Sequence, residues 1–255
     1  MIYQAIVFLP LLGALIAGFF GRFIGPRPAE LITSGFLVIA AVLSWVAFWQ
    51  VGIGHATEKI TLMRWVSSGE LDVSWGIRVD TLTAVMLVVV TTVSALVHIY
   101  SIGYMHEDPH RPRFFAYLSL FTFAMLMLVT SDNLLQMFFG WEGVGLASYL
   151  LIGFWYKKPS ASAAAMKAFI VNRVGDFGFA LGIFCVFVLF GSINFETIFA
   201  TAATYLPAEG AADASQPVIN LFGMNLDKSH ALTATCLLLF MGAMGKSAQF
   251  LLHTW

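Results

Sequence analysis

The segment TLTAVMLVVVTTVSALVHIYSIGYM, Thr81–Met105, contains no Asp, Glu, Lys or Arg. A helix that crosses the hydrocarbon core of a bilayer needs about 20 predominantly apolar residues. Three further stretches are equally free of charge: Met1–Gly21, Leu31–Gly54 and Phe114–Ser131. None of these runs alternates between apolar and polar residues, so they predict membrane-spanning helices and not the strands of a barrel.

Three other apolar stretches contain only isolated charges. Glu142 lies within the first of them, Arg173 and Asp176 within the second, and Lys246 within the third. We therefore predict an all-α, polytopic transmembrane helix bundle that forms a single domain over residues 1–255. Its spans are about seven in number: 1–21, 31–54, 81–105, 114–131, 133–156, 168–190 and 229–255.

The connection between the second and third spans has a different pattern. Ile60–Val66 and Leu71–Val79 are rich in β-branched and aromatic residues, and Ser67-Ser68-Gly69 between them is typical of a turn. This pattern predicts a small β-hairpin at about residues 60–79, on the membrane surface.

The composition of the whole chain agrees with a membrane protein. Of 255 residues, 59% are hydrophobic and 11% are charged, and the mean hydropathy is +0.84, whereas about 25% of residues are charged in a soluble domain. The formal net charge of -1 provides no basic field for nucleic acid. Cys185 and Cys236 lie in apolar runs and form no metal-ligand or disulfide pattern.

Lysine and arginine are distributed unevenly between the two sets of loops. The short loops after spans one, three and five carry seven of them: Arg22, Arg27, Arg111, Arg113, Lys157, Lys158 and Lys167. The opposite loops carry four: Lys59, Arg64, Arg78 and Lys228. The positive-inside rule then predicts an N-terminus on the periplasmic side or its equivalent.

The intramembrane charges are the candidate functional residues. A charge at the bilayer centre costs about 2.5–3.5 kcal/mol on insertion scales, and such residues often mark an ion path. Glu142 lies eight residues past Leu134 and Asp176 lies eight residues past Ala168, in each case about 12 Å along the helix axis. Arg173 and Asp176 are three residues apart and can pair on one helix face. Lys246 follows two glycines that weaken its helix.

Structural explanations remain open for each of these residues. The Arg173–Asp176 pair could serve only to fix helix packing. Glu142 could be a protonated acid that is hydrogen-bonded to a neighbouring helix, and Lys246 could extend its ammonium group to an interface. For His98, a hydrogen-bonded packing role is favoured, and for His253 the sequence decides nothing.

A carboxylate and a lysine in a dry bundle can together move a proton. Burial disfavours the charged form of each group, whereas their mutual attraction favours it. A conformational or electrostatic change that separates the partners therefore makes the lysine release its proton. A glycine-weakened helix near the lysine also allows a broken helix, whose backbone ends suit ion and water access.

Several longer motifs resemble a known family. Phe139-Gly140-Trp141-Glu142-Gly143-Val144-Gly145 and Tyr149–Trp155 resemble the antiporter-like subunits of respiratory complex I. Val171–Gly178 narrows the resemblance to the subunit L family, which includes mitochondrial NADH dehydrogenase subunit 5. Gly245–Gln249 and His253–Trp255 agree with it. The alternative is the large subunit of multisubunit cation/proton antiporters, which shares the fold.

The resemblance implies an antiporter-like helix bundle built from inverted repeats, of which this chain is the N-terminal portion. It implies that Glu142 pairs with Lys246, the proton-carrying lysine, and that Arg173 and Asp176 modulate this pair or line a half-channel. The implied function is proton translocation coupled to electron transfer from NADH to quinone, as a subunit of a larger enzyme.

The same resemblance places the redox chemistry elsewhere. It implies no cofactor or metal on this chain, with NADH, FMN, iron–sulfur clusters and quinone on other subunits. The implied partners are other membrane subunits of complex I, especially the neighbouring antiporter-like subunit, and the lipid bilayer, with no nucleic acid. The implied location is a bacterial or mitochondrial inner membrane.

Overall fold

The computed structural model describes residues 1–54, 57–202, 218–221 and 224–255. These residues form two compact units. The first comprises Met1–Met63, Trp75–Asp132 and Gln136–Ala165. The second comprises Arg64–Ser74, Asn133–Leu135 and Met166–Trp255.

Helices dominate the described residues. The α-helices are α1 (Ile2–Leu15), α2 (Gly21–Ile24), α3 (Pro26–Ala47), α4 (Thr81–Tyr104), α5 (Arg111–Val129), α6 (Leu134–Ile152), α7 (Pro159–Phe190), α8 (Phe195–Ala202) and α9 (Lys228–Lys246). Two π-helical turns, Ile16–Phe20 and Phe48–Ile53, continue α1 and α3. The strands are β1 (Glu58–Ser68), β2 (Leu71–Val79), β3 (Ile219–Leu221) and β4 (Met224–Leu226), paired β1–β2 and β3–β4.

Six helices in the described ranges are long and apolar enough to cross a membrane. They are Ile2–Ile24, Pro26–Ile53, Thr81–Tyr104, Arg111–Val129, Leu134–Ile152 and Pro159–Phe190. The predicted all-α bundle with a small β-hairpin is therefore confirmed.

The seventh predicted segment, 229–255, is not one continuous helix. Helix α9 ends at Lys246, and the chain then turns through Ala248 and Leu251, which have φ angles of +49° and +73°. An L-residue with positive φ cannot continue a right-handed helix. The glycines before Lys246 thus lie immediately ahead of a break, and α9 is not among the six helices.

Other boundaries also differ from the prediction. Helix α7 begins at Pro159 and not at residue 168, because proline suits the first turn of a helix and the alanines that follow favour helix formation. The hairpin turn consists of Gly69 and Glu70, whereas the predicted turn was Ser67-Ser68-Gly69. Gly69 has a φ of +57°, which glycine adopts at low cost in a two-residue hairpin turn.

The first unit is organised around a core to which the hairpin contributes. Ile77 and Val79 of β2 are fully buried with Ile6 of α1, Leu87 of α4 and Leu126 of α5. The base of the hairpin therefore packs into the bundle and does not merely lie on its surface.

Three polar contacts fix the hairpin in the first unit. The side-chain amide of Gln136 bonds to Gly76 twice, accepting from its N–H at 2.9 Å and donating to its carbonyl at 2.6 Å. The Nζ of Lys59 lies 2.8 Å from Oδ2 of Asp132, a carboxylate whose side chain is 2% exposed. The N–H of Arg78 donates to the carbonyl of Thr130 at 2.9 Å.

The second unit contains most of α7, followed by α8 and α9. Gly191, with a φ of +65°, ends α7, and the N–H of Leu134 donates to the carbonyl of Ile193 at 3.0 Å. Asp227 caps the N-terminus of α9 by accepting a hydrogen bond from the N–H of His230 at 2.8 Å. Helices α7 and α9 carry the candidate site of this unit.

Candidate functional site

Helices α7 and α9 approach each other along a row of glycines in the second unit. A Cβ atom on Gly175 would lie 3.0 Å from the carbonyl oxygen of Met241 and 3.1 Å from Cα of Gly245. A Cβ on Gly242 would lie 2.7 Å from Cβ of Phe179. Small residues at such a crossing let the two backbones come into direct contact, as at many helix interfaces within membranes.

This glycine seam brings Asp176 next to Lys246. The Nζ of Lys246 lies 3.7 Å from Oδ1 of Asp176, and Nη1 of Arg173 lies 3.9 Å from Oδ2 of the same carboxylate. Asp176 is 3% exposed. One buried carboxylate therefore has a cation on each side.

Neither cation is within hydrogen-bond distance of the carboxylate in this conformation. N–H···O hydrogen bonds span 2.7–3.2 Å between donor and acceptor, and both distances exceed this range. The interactions between Asp176 and its two cations are therefore mainly coulombic. Movement of α9 against α7 would change the distance between Lys246 and Asp176, whereas Arg173 and Asp176 stay together because both belong to α7.

Arg173 and Lys246 each have a further favourable interaction besides the one with Asp176. The guanidinium carbon of Arg173 lies 4.6 Å from the centre of the Phe169 ring, a cation–π distance. Lys246 is the last residue of α9, where the negative end of the helix dipole favours a cation. The indole N–H of Trp255 donates to the carbonyl of Gly245 at 3.0 Å and satisfies one of the terminal carbonyls of that helix.

Glu142 lies on α6 in the first unit and is half-buried. Glycines on both sides of it pack α6 against α5. A Cβ on Gly140 would lie 2.6 Å from the backbone nitrogen of Leu128, and one on Gly143 would lie 3.0 Å from Cβ of Ala124. Since Lys246 belongs to the second unit, the Glu142–Lys246 pair remains a prediction.

The two candidate histidines differ in their surroundings. His98 is fully buried, and its Nδ1 lies 2.8 Å from the carbonyl of Ser94 while its Nε2 lies 3.0 Å from the hydroxyl of Ser119. Nδ1 must carry the proton, because a carbonyl can only accept. His253 is exposed in the turns after α9.

Within the ranges that the structure describes, no group of three or more His, Cys, Asp or Glu could hold a metal ion.

The sequence prediction paired Asp176 with Arg173 and overlooked its proximity to Lys246. The sequence did contain a signal for this contact. Gly175, Gly178 and Gly182 are spaced so that they lie on one face of α7, and α9 carries Gly242 and Gly245 three residues apart. Such spacing predicts a close helix crossing. The charged residues adjacent to these glycines then become neighbours.

Replacing Gly175 by alanine tests the seam. The added methyl would force α7 and α9 apart by a few tenths of an ångström, and overpacking of this kind costs roughly 1–3 kcal/mol. We expect less assembled subunit and a lower thermal midpoint. Gly35→Ala in α3 is the matched control, because nothing lies within 4 Å of its Cβ position. Equal amounts of assembled subunit and equal thermal midpoints for the two variants would show that α7 and α9 are not tightly packed at Gly175.

Comparisons with known proteins agree on a family. The family model described as "NADH:quinone oxidoreductase/Mrp antiporter, TM" matches residues 131–255. The model described as "NADH-Ubiquinone oxidoreductase (complex I), chain 5 N-terminus" matches residues 65–115.

Curated relatives are similar over almost the whole chain. NADH-quinone oxidoreductase subunit L of Rhodobacter capsulatus is 56% identical, with 98% of this chain and 34% of the relative covered. NADH-ubiquinone oxidoreductase chain 5 of Triticum aestivum is 53% identical, with coverages of 99% and 36%. Subunit L of Neisseria meningitidis serogroup A is 51% identical, with coverages of 100% and 36%. The chain therefore spans about a third of the length of these relatives.

Solved structures support the fold. A chain of the Mrp complex from Dietzia sp. matches with a TM-score of 0.77 at 20% identity, covering all of this chain and 25% of the other. A chain of the archaeal membrane-bound sulfane sulfur reductase matches with a TM-score of 0.75 at 16% identity, covering 99% and 46%. Taken with the high identity of the relatives, these findings show that the chain belongs to the family of NADH-quinone oxidoreductase subunit L and NADH-ubiquinone oxidoreductase chain 5.

Proposed function

We propose that this chain is part of a proton-translocating membrane subunit of an NADH:quinone oxidoreductase. In this role it moves protons when electrons pass from NADH to quinone. The observation that carries the proposal is the buried carboxylate of Asp176 between Arg173 and Lys246, at the point where α9 ends. The names of the relatives supply the electron donor and acceptor.

Lys246 carries the proton in this mechanism. While its ammonium group faces a carboxylate, the charged form is favoured, and separation of the two groups favours release. Asp176 lies 3.7 Å from Lys246, and Glu142 is the second carboxylate that we assign to the control of this lysine. Arg173 competes for Asp176, so a shift of the carboxylate towards Arg173 weakens its hold on Lys246.

The redox chemistry belongs to other subunits in this proposal. NADH, FMN, iron–sulfur clusters and quinone bind there, and this chain holds none of them. Its partners are other membrane subunits of complex I, especially the neighbouring antiporter-like subunit, together with the bilayer. The mechanism needs only a conformational or electrostatic signal from those subunits.

A subunit of a cation/proton antiporter is the second candidate. The description of the family model that matches residues 131–255 names the Mrp antiporter, and this favours the second candidate. Membrane vesicles from a strain that lacks the full-length subunit distinguish the two functions when the full-length gene is restored. Recovery of NADH-driven proton uptake supports the redox-driven complex. Recovery of cation-driven proton exchange alone, with no response to NADH, overturns it.

The chain is a multi-pass membrane protein, and we place it in a bacterial or mitochondrial inner membrane. Its orientation follows from the excess of Lys and Arg in the loops after spans one, three and five. A reporter fused after Pro109 should face the cytoplasm or matrix, and one fused near Ser68 should face the periplasm or intermembrane space. Reversed labelling of the two fusions would contradict the orientation.

Replacing Glu142 by glutamine should remove most of the NADH-driven proton uptake, because the neutral amide no longer stabilises a protonated lysine. Glu142→Asp keeps the charge on a shorter stem and should retain part of the activity. Proton uptake in vesicles, normalised to the assembled complex, is the measurement. Wild-type rates for Glu142→Gln would exclude Glu142 from the mechanism.

A further inference from the structure

Six cations lie at one end of the first unit, in the short connections between helices. These residues, Arg22, Arg27, Arg111, Arg113, Lys157 and Lys158, form what we call the basic collar. The same connections contain only three carboxylates, Glu30, Glu107 and Asp108. The collar therefore carries excess positive charge at one helix end of the unit.

Three of the six cations are held by other parts of the first unit. Arg111 lies 3.2 Å from the buried carboxylate of Glu30. Arg113 donates to the carbonyl of Phe154 at 3.0 Å, with its guanidinium carbon 4.8 Å from the centre of the Phe154 ring. The ammonium group of Lys158 lies 5.1 Å from the centre of the Trp155 ring.

These contacts make the collar a fixed surface and not a set of mobile loops. The indole N–H of Trp155 donates to Asp108 at 3.1 Å, which ties the segment after α6 to the segment before α5. A Cβ on Gly21 would lie 2.6 Å from Cβ of Pro112, so the end of α2 lies against the start of α5. Three separate connections thus form one surface.

The remaining three cations point outward. Arg22, Arg27 and Lys157 are exposed, and in the ranges that the structure describes none of them has a carboxylate partner. Their charge is available to an external anion.

Exposed aromatic side chains lie close in the sequence to these exposed cations. Phe19, Phe20 and Phe23 are 72%, 57% and 83% exposed, and Trp155 and Tyr156 are 44% and 56% exposed. Aromatic rings of this kind are enriched where the hydrocarbon core meets the headgroups of a bilayer. This combination of exposed cations and exposed rings is typical of helix ends at headgroup level.

We propose that the basic collar binds the headgroup of an anionic phospholipid. The phosphodiester meets Arg22, Arg27 and Lys157, and the acyl chains lie against the exposed phenylalanines. Charge complementarity selects an anionic lipid over a zwitterionic one, and clusters of Lys and Arg beside spanning helices bind such lipids in general. None of the collar residues belongs to the Asp176–Lys246 pair, and the proposal does not depend on proton translocation.

The test uses the assembled complex with the full-length subunit, reconstituted into nanodiscs with photoactivatable phosphatidylglycerol or phosphatidylcholine. Phosphatidylglycerol should cross-link preferentially to peptides from residues 19–27 and 104–113 and from 153–158. The Arg22→Gln/Lys157→Gln variant should lower this cross-linking by about fivefold for each cation removed. Raised salt should lower it as well, because the contact is electrostatic.

Two matched variants serve as controls. Arg22→Lys/Lys157→Arg keeps both charges and should cross-link like the wild type. Arg64→Gln/Lys228→Gln removes two cations from the opposite loops and should leave cross-linking at the collar unchanged. Equal cross-linking of the two lipids, or an unaffected Arg22→Gln/Lys157→Gln variant, overturns the proposal.

Two further outcomes would assign the surface to another ligand. Full competition by millimolar inorganic phosphate would mean that the collar recognises phosphate alone. Loss of the subunit from the complex in the Arg22→Gln/Lys157→Gln variant, with lipid cross-linking intact, would mean that the collar binds a neighbouring subunit. Either result overturns the lipid site.

Discussion

Replacement of Lys246 by alanine is expected to abolish NADH-driven proton uptake in membranes that still contain the assembled complex. The side chain is the proton carrier in the proposed mechanism, and alanine has no group that can take its place. Lys246→Arg should fail as well. A guanidinium keeps the positive charge beside Asp176 but does not release a proton near neutral pH. The measurement is initial proton uptake per assembled complex.

The arginine variant separates charge from proton transfer. If Lys246 only balances the charge of Asp176, arginine should restore uptake, and the carrier role would be wrong. Lys167→Ala is the matched control, because Lys167 is an exposed lysine on α7 and no part of the site. It should pump at the wild-type rate.

Replacement of Asp176 by asparagine is expected to reduce the amount of assembled subunit. The change leaves Arg173 and Lys246 near each other without the carboxylate that lies between them. Removing one partner of a fully buried ion pair costs roughly 3–5 kcal/mol, and the partial exposure of both cations should keep the cost below that range. Arg173→Gln should be milder, since the Arg173 side chain is 45% exposed. An immunoblot of the complex on a native gel measures assembly.

The Asp176→Asn/Arg173→Gln variant distinguishes a structural role from a role in proton transfer. If Asp176 only fixes the packing of α7, the double variant should regain both assembly and proton uptake. Regained assembly without proton uptake would support the proposed control of Lys246. Normal assembly and normal uptake in Asp176→Asn would contradict both roles.

Much of the fold could be predicted because membrane-spanning helices depend on composition over long windows. Thr81–Met105 predicts a span from its lack of charge alone, and α4 covers Thr81–Tyr104. The end of α9 could not be predicted as closely. Its position depends on the backbone angles at Ala248 and Leu251, and neither alanine nor leucine indicates a positive φ.

Contacts between site residues on the same helix could be predicted from the sequence. The spacing of Arg173 and Asp176 within α7 gave their pairing, since residues three apart share a helix face. The contact between Asp176 and Lys246 joins residues far apart in the sequence, and hydrophobic patterns within single helices carry no information about it. The glycines of α7 and α9 do indicate that contact, through the close approach that they permit.

The double hydrogen bond between Gln136 and Gly76 has a mechanical consequence. The primary amide presents an acceptor and a donor to the same backbone residue, as a neighbouring strand would, so the edge of β2 is occupied at Gly76 by a side chain of α6. Glu142 lies six residues further along that helix, about 9 Å away along its axis. The base of the hairpin at Gly76 and the helix that carries Glu142 are therefore held to each other by two hydrogen bonds.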